Sequence, residues 1–352
     1  MKIEIGKGYA ALALHLLGDA RLREASNIRW GPFLQLAKSN RVLVRVSDGL
    51  EKLHFEPPAF FARAVEQERQ RVRINVEHIC QIGKICAEHG IEFIFAKAFQ
   101  YYPDMGCDLD LFILSRSTKP DALIVKTLQA SRKKRSLCNR IAGTVNYRLQ
   151  GSQSLLEIHH ARIGRLGEEG SYLKLVIQNG RHIHINGAQL LAPSSEDQLI
   201  LQVAQKVFGR LYIRLSEIVH AISLLRQSAM DWDYVIGTTR RLGIFHGLCC
   251  YLSYIEQIHQ ELFGSSLLHS ELRKVLILNG WGQIEFRAGF YRLPGAQVAA
   301  KLYLSKFKHA LFSGNVEAAG RLCLVARAFC RQRRSVGRGA AKCHWPPMIE
   351  PG

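Results

Sequence analysis

The sequence predicts an α+β fold, in which a small mixed sheet with flanking helices is followed by a helical C-terminal region. Short apolar segments with strand character lie between residues 91 and 160, after an amphipathic stretch at 58–89. Beyond Pro193, apolar residues recur at helical spacing to about residue 332. No glycine-rich loop of the Walker or dinucleotide-binding type is present, which disfavours P-loop and Rossmann enzymes.

Changes in composition divide the 352 residues into four predicted parts. Residues 1–57 are predicted to form an N-terminal helical segment and residues 58–192 an α/β core. Residues 193–332 are predicted to form a helical domain. Residues 333–352 combine basic residues, prolines and glycines with few apolar side chains, which is typical of a disordered tail.

The elements before residue 115 follow from apolar spacing and chain breaks. Residues 9–19 and 29–46 have the spacing of helices. A long helix is predicted over 58–89, because two prolines precede it and Gly90 follows as a C-terminal stop. Residues 91–95 then read as a short buried strand and residues 107–114 as a second strand.

The later elements are predicted in the same way. Residues 119–130 are expected to be helical, and residues 144–149 and 155–160 to be two strands. Asn179-Gly180 predicts a hairpin between strands at 173–178 and 181–185. From Ser194, a helix cap, successive helices are expected, the last two separated by Gly314-Asn315.

The chain carries 48 basic and 29 acidic residues, a formal net charge of +19. This excess favours polyanionic partners: nucleoside triphosphates, nucleic acid or an anionic membrane surface. One basic cluster spans residues 132–135 and another lies in the C-terminal tail, from Arg327 onward. A role in solubility alone remains an alternative for each cluster.

Cysteine usage and hydropathy predict a cytoplasmic protein. The nine cysteines include no C-x-x-C pair, which indicates free thiols in a reducing compartment rather than a zinc ribbon or a disulfide framework. No apolar run approaches the roughly 18 residues that a transmembrane helix needs. The N-terminus lacks the apolar region of a signal peptide.

Two acidic residues, Asp108 and Asp110, lie on the predicted strand at 107–114. Residues two apart on a strand project from the same face, so the two carboxylates would lie together and repel one another. A divalent cation would relieve that repulsion, and Mg²⁺ in particular shares carboxylate oxygens with substrate phosphates. The alternative is a solvated strand face without a function.

The order and spacing of several motifs resemble a bacterial family described as uncharacterised nucleotidyltransferases, of the DNA-polymerase-beta-like superfamily. The resemblance covers most of residues 28–265. The matching segments are Gly90-Ile91, Phe95-Ala-Lys-Ala98, Tyr102-Pro103, Asp108-Leu-Asp-Leu-Phe-Ile113, Glu157-Ile-His-His160 and Ala192-Pro-Ser-Ser-Glu-Asp197. The resemblance implies that the α/β core is a polymerase-beta-like nucleotidyltransferase core.

The resemblance also implies roles for the matching residues. Asp108 and Asp110 would hold the catalytic Mg²⁺ (or Mn²⁺) together with the triphosphate of an NTP such as ATP. Glu157 would be the third catalytic and metal-binding carboxylate. Lys97 and Ala98 would bind the nucleotide, Lys97 by approaching a phosphate, and His159 would support the site.

Three departures from the family pattern leave two functions open. The family's lysine-glycine pair is Lys97-Ala98, its tryptophan is His160, and its arginine ahead of the aspartate strand has no counterpart at 103–107. The first function is metal-dependent transfer of a nucleoside monophosphate from an NTP to a hydroxyl of a small molecule, a protein or an RNA end, with 193–332 on the acceptor side. The alternative is a catalytically degraded, basic module that binds nucleic acid, through its surface and tail, or a protein.

Overall fold

The computed structural model describes residues 8, 10–14, 28–164, 167–210, 212–227 and 229–324. Residues 10–14 are helical. The single helix predicted over 29–46 is instead two helices, α1 (Trp30–Asn40) and α2 (Leu43–Lys52). The break falls at Arg41, whose backbone is left-handed with a φ of 57°. The break turns the chain so that both helices bury an apolar face.

Five strands form the predicted mixed sheet in the order β1-β2-β5-β4-β3. Strands β2 and β5 are parallel, and every other neighbouring pair is antiparallel. The strands are β1 (Phe93–Phe95), β2 (Asp108–Ile113), β3 (Ser131–Arg132), β4 (Thr144–Arg148) and β5 (Leu155–His160). The flanking helices are α3 (Ala59–Glu88), α4 (Lys119–Thr127) and α5 (Leu137–Ala142).

The two faces of the sheet differ, as the alternation in the sequence predicts. Leu109 and Leu111 of β2 and Ile158 of β5 belong to a core that includes apolar residues of α3 and α4. Asp108 and Asp110 therefore project from the opposite face. The register places Asp110 directly beside Glu157, because these two residues are partners across the parallel pair β2–β5.

The hairpin is displaced from its predicted position. Residues 173–178, predicted as a strand, form most of helix α6 (Tyr172–Gln178). The hairpin joins β6 (Arg181–Ile185) to β7 (Ala188–Ala192). Its turn is Asn186-Gly187, where both residues have positive φ, and not Asn179-Gly180. Leu173 and Val176 are buried on one face of α6, and this three-residue spacing suits a helix, not a strand.

Helices dominate after Pro193, as predicted. Ser194 caps the first of them by accepting a hydrogen bond from the Asp197 backbone N–H at 3.1 Å. The helices are α7 (Ser195–Gln202), which continues into a π-helical turn (Val203–Val207), α8 (Leu215–Gln227), α9 (Trp232–Arg241), α10 (Phe245–Phe263), α11 (Ser270–Val275) and α12 (Gly295–Phe312), and residues 316–324 are also helical. The break before that last segment falls at Gly314-Asn315, as predicted.

The prediction of helices alone in this region is wrong in one respect. Strands β8 (Tyr212–Ile213), β9 (Glu285–Arg287) and β10 (Phe290–Arg292) form a small antiparallel sheet in the order β8-β10-β9. A tight turn at Ala288-Gly289, with both residues at positive φ, joins β9 to β10. Phe286 and Tyr291 pack edge to face across the pair, with ring centroids 5.1 Å apart.

Two apolar cores underlie the fold. One joins α1 and α2 to the helical region after Pro193, and the other joins the five-stranded sheet to α3 and α4. Among the described cysteines, Cys80, Cys86, Cys249 and Cys250 are buried free thiols. None of the described helices is both long and apolar enough to cross a bilayer. The predicted tail, 333–352, lies outside the described residues, and the four-part division stays a prediction.

Candidate active site

Adjacent strands bring three potential metal ligands together on the open face of the sheet. Asp110 comes from β2, and Glu157 and His159 come from β5. One ligand atom of each side chain lies within 4.8 Å of the other two. Lys97, at the end of the turn after β1, places its Nζ 2.6 Å from Asp110 Oδ1. The parallel pairing of β2 with β5 thus assembles residues that are 49 positions apart in the chain.

The predicted ligand set was Asp108, Asp110 and Glu157, whereas His159 stands in the place of Asp108 in the observed group. Burial, reinforced by the charge of Asp110, raises the pKa of Asp108, although Arg41 and Lys97 oppose that shift. Asp108 therefore shares the face, where its charge acts on Glu157 as well as on these cations.

The charge state of Asp110 is set by its neighbours. Burial alone would raise its pKa, but the charge of Lys97 and a hydrogen bond with His159 hold the pKa far below its usual range. Burial raises the pKa of Glu157, and the charge of Asp110 adds to that shift, while His159 opposes it. The pKa of Asp110 is thus lowered and the pKa of Glu157 is raised, so Asp110 stays ionised and Glu157 accepts a proton more readily.

His159 is held in place by three contacts. Its Nε2 lies 3.3 Å from Asp110 Oδ1, and its Nδ1 lies 3.2 Å from the Thr144 hydroxyl on β4. Phe112 stacks on the ring at a centroid distance of 4.3 Å. If a cation replaces the Nε2 proton that is shared with Asp110, Nδ1–H would donate a hydrogen bond to the Thr144 hydroxyl, which is how a second residue orients a ligating imidazole.

Ala98 fits its turn without strain. Its φ is not positive, and its side chain is buried in the core of the sheet. The loss of the family's glycine therefore does not distort the segment that carries Lys97.

The loop from Lys97 to Asp108 is fastened at its far end. Asp104 is buried and accepts hydrogen bonds from the backbone N–H groups of Val44 at 2.8 Å and Arg45 at 3.2 Å, and from Arg45 Nε at 3.0 Å. Arg71 of α3 donates to the carbonyl oxygens of Met105 and Gly106, both at 2.7 Å. These contacts fix the start of β2, and with it the direction in which its aspartates project.

We expect Asp104→Asn to lower the free energy of unfolding by about 2 kcal/mol, the usual scale for hydrogen bonds to a charged group. The amide of asparagine has only one oxygen, so it cannot replace both carboxylate oxygens that accept from Val44 and Arg45. Urea unfolding measures the change. Asp233→Asn, at an exposed position of α9, is the matched control and should stay within about 0.5 kcal/mol of the parent. Equal losses in the two variants would contradict the role assigned to Asp104.

Four cations that the sequence did not single out surround the aspartates. Arg41 and Arg210 lower the pKa of Asp108, and Arg214 and Lys206 lie within electrostatic reach of Arg210. The Arg41 guanidinium lies against Gly106, where a Cβ would come within 2.7 Å of its Nη1. Arg41 comes from the α1–α2 turn, and Arg210 and Arg214 come from the helical region.

Several buried polar atoms near these cations form no hydrogen bond with the described residues. They include Arg214 Nε and Nη1, Tyr101 Oη and His220 Nε2. Burial, together with the charges of Arg41 and Arg210, lowers the pKa of Arg214. Burial of a guanidinium with two unpaired N–H donors costs free energy unless an anion or a water molecule accepts hydrogen bonds from them. The interior beside the aspartates is therefore suited to an anionic ligand.

A buried ion pair supports this part of the site. Lys206 Nζ, in the π-helical turn, lies 2.6 Å from Glu217 Oε1 of α8, and the two side chains are 4% and 1% exposed. Glu217 Oε2 also accepts from the Arg214 backbone N–H at 2.9 Å, which caps α8. Burial alone would raise the pKa of Glu217, but Lys206 and Arg214 hold it at about 2.

His160, which stands where the family has tryptophan, lies on the other side of the sheet. Its Nε2 is 3.2 Å from Asp121 Oδ1 of α4, and the Tyr147 hydroxyl donates to Asp121 Oδ2 at 2.8 Å. The group is buried between the sheet and α4. His160 thus helps to attach α4 to the sheet and takes no part in the cluster around Asp110.

Comparison with known families matches residues 26–260 to the model described as uncharacterised nucleotidyltransferase. That match covers more than half of the chain. The protein belongs to this family. Membership agrees with the observed α+β fold and identifies the chain as a nucleotidyltransferase, an enzyme class that uses NTPs. Neither a curated protein nor a solved structure matches the chain.

Proposed function

We propose that this nucleotidyltransferase uses a divalent cation at Asp110, Glu157 and His159 to move a nucleoside monophosphate from an NTP to a hydroxyl acceptor. The observation that carries the proposal is the position of this group, with ligand atoms within 4.8 Å of each other. Cations lie directly beside it, among them Lys97 and Arg210. A divalent cation between these carboxylates and the phosphates would stabilise the charge that develops during nucleotidyl transfer.

The donor set fits Mg²⁺ or Mn²⁺. Two carboxylates are the hard oxygen ligands that Mg²⁺ prefers, and an imidazole favours Mn²⁺ more than Mg²⁺. Asp108 projects from the same strand face and can join the set by a change of rotamer. A bound cation would neutralise charge on the phosphates and make the acceptor hydroxyl more acidic.

The residues of the chain have separable tasks in this reaction. Lys97 neutralises Asp110 in the absence of a ligand and, with NTP bound, turns to a phosphate. Arg41, Arg210 and Arg214 bind the remaining phosphate charge, for which Arg214 has two free buried donors among the described residues. Glu157 would hold the cation through one carboxylate oxygen, and its second oxygen accepts the proton of the attacking hydroxyl.

Nucleotide and metal binding test the proposal directly. Thermal unfolding is followed with each of the four NTPs, with and without MgCl₂ or MnCl₂. A metal-dependent rise in melting temperature with at least one NTP is expected, because a ligand that binds only the folded state stabilises it. No rise with any NTP and metal pair, at millimolar concentrations, would contradict the proposal.

Arg214→Met is expected to raise the Kd for NTP by roughly 10- to 100-fold, the effect of losing charge-assisted hydrogen bonds worth about 1.5–3 kcal/mol. Methionine keeps much of the length of the side chain. Titration calorimetry with Mg²⁺ present measures the change. Arg73→Met, at an exposed position of α3, is the control and should bind NTP as the parent does. Unchanged affinity in Arg214→Met would remove this arginine from the phosphate site.

A further inference from the structure

The open face of the sheet continues past Glu157 as a polar row toward the β3 edge. Asn146 of β4 is the partner of Glu157, so the two side chains project from the same face. Lys133 extends the pairing of β3 with β4, because its N–H donates to the Asn146 carbonyl at 2.8 Å. Asp110, Glu157, Asn146 and Lys133 therefore lie in one line across four strands.

A second row runs parallel to the first. Asp108 pairs with Leu155, and Leu155 pairs with Arg148, so Arg148 also faces the open side. Arg148 and Lys133 are both exposed, and neither forms an ion pair with the described residues. Neighbouring strands lie about 4.8 Å apart, so the backbone of Lys133, two strands away, is about 10 Å from the backbone of Glu157. Lys133 and Arg148 thus lie on the side of Glu157 that faces the β3 edge, and neither has an ion-pair partner among the described residues.

The same edge of the sheet contains a basic cleft. The cleft has a volume of about 400 Å³ and is open to solvent. It is lined only by basic residues: Arg132, Lys133, Lys134, Arg135 and Arg140. Lys133 belongs to both the cleft and the polar row and so links the two, whereas Arg132, the partner of Tyr147, faces the other side of the sheet.

We propose that the acceptor is the 3′ end of a nucleic-acid strand that lies along this surface; the proposal rests on the nucleotidyl transfer proposed above. The cleft, Lys133 and Arg148 bind successive phosphates, and the terminal nucleotide lies over Asn146. One phosphate is satisfied by one or two cations, whereas the five cations of the cleft and Arg148 fit a repeating phosphate backbone. Asn146 Oδ1 is buried and accepts no hydrogen bond from the described residues, so a small rotation of this half-buried side chain would offer the oxygen to the terminal sugar.

The step is a substitution at phosphorus. The terminal 3′ oxygen forms a bond with the α-phosphorus of the NTP, and the bond from that phosphorus to the oxygen bridging to the β-phosphate breaks. Pyrophosphate leaves with the electron pair of that bond, and the hydroxyl proton goes to Glu157. The strand gains one nucleotide. Because the cleft lining includes no aromatic side chain on which bases could stack, binding depends on phosphates more than on base sequence.

Binding is tested without NTP or metal, with a fluorescent single-stranded RNA and the matching DNA, across a series of salt concentrations. For Lys133→Ala/Arg148→Ala we expect at least tenfold weaker binding. The slope of log affinity against log salt should fall by about 1.4, because each phosphate contact on a single strand contributes about 0.7. The control is Lys84→Ala/Lys308→Ala, which removes two exposed lysines outside the two rows and should leave both quantities unchanged. Equal affinity and slope in the parent and the Lys133/Arg148 variant would overturn the proposal.

A second measurement separates this proposal from the proposed function. Labelled NTP is supplied with oligonucleotides that end in a 3′ hydroxyl or a 3′ phosphate. Label on the hydroxyl-ended strand alone is expected. Transfer to a small hydroxylated compound or a protein, with none to the strand, would overturn the nucleic-acid acceptor and leave nucleotidyl transfer standing. A missing metal-dependent stabilisation by NTP, measured with no strand present, would instead contradict the proposed function.

Discussion

Asp110→Asn is expected to reduce nucleotidyl transfer by at least about a thousandfold, which corresponds to about 4 kcal/mol of transition-state stabilisation. Asp110 lies at the centre of the site. Ligand atoms of Glu157 and His159 are within 4.8 Å of its carboxylate, and Lys97 Nζ is 2.6 Å from its Oδ1. Asparagine keeps the size of the side chain but removes its charge, so it cannot hold a divalent cation against the phosphates. Transfer of label from NTP measures the loss.

The stability of the same variant distinguishes loss of chemistry from loss of fold. Repulsion between paired carboxylates alone would predict that removal of either aspartate stabilises the protein. The structure predicts opposite signs: Asp108→Asn should raise the melting temperature, because burial and Asp110 disfavour its charge. Asp110→Asn should lower it slightly, because Lys97 and His159 lose their partner. Full transfer activity in a folded Asp110→Asn protein would contradict the site assignment.

Glu217→Gln is expected to lower the free energy of unfolding by about 3–5 kcal/mol, the usual cost of removing one partner of a buried ion pair. The substitution leaves the buried Lys206 without its carboxylate partner, so Lys206 must either remain an unpaired cation, repelled by Arg210 and Lys97, or lose its proton. Burial and these cations already hold the pKa of Lys206 at about 7 in spite of Glu217. Denaturant unfolding at neutral pH measures the loss.

The pH dependence of that loss has a definite sign. Glu217 has a pKa of about 2 in the folded protein, below its ordinary value of 4.5. A carboxylate with a lowered folded-state pKa stabilises the protein fully above its unfolded pKa, and that contribution disappears as pH falls through the folded pKa. The difference between the parent and Glu217→Gln should therefore be largest between about pH 5 and pH 7. It should shrink toward pH 2 as Glu217 gains a proton, and above about pH 7 as Lys206 loses its proton.

Removal of the whole pair provides the control. Lys206→Met/Glu217→Gln removes both members of the pair and should recover most of the stability that Glu217→Gln loses, because the largest cost of the single change is a buried lysine without its partner. If the double variant is as unstable as Glu217→Gln, the loss comes from the cap of α8 at Arg214 and not from the ion pair.

Local rules were sufficient for the elements that carry the proposed metal ligands. The alternation around Asp108 and Asp110 predicted a strand with one apolar and one acidic face, and both the strand and its faces are confirmed. Local rules failed where two similar signals competed. Asn179-Gly180 and Asn186-Gly187 both fit a hairpin turn, and burial of Leu173 and Val176 decided for the second.

The sequence by itself determined the α+β class, the family and the acidic strand, because these depend on periodicity and on motifs close together in the chain. Only the tertiary structure decided which residues meet. The pairing of β2 with β5 brought His159 to Asp110, and the packing of two separate helical regions against the sheet brought Arg41 and Arg214 to the same place. Such contacts join residues with no local relation in sequence, and their energies depend on burial and distance, which appear only when the chain has folded.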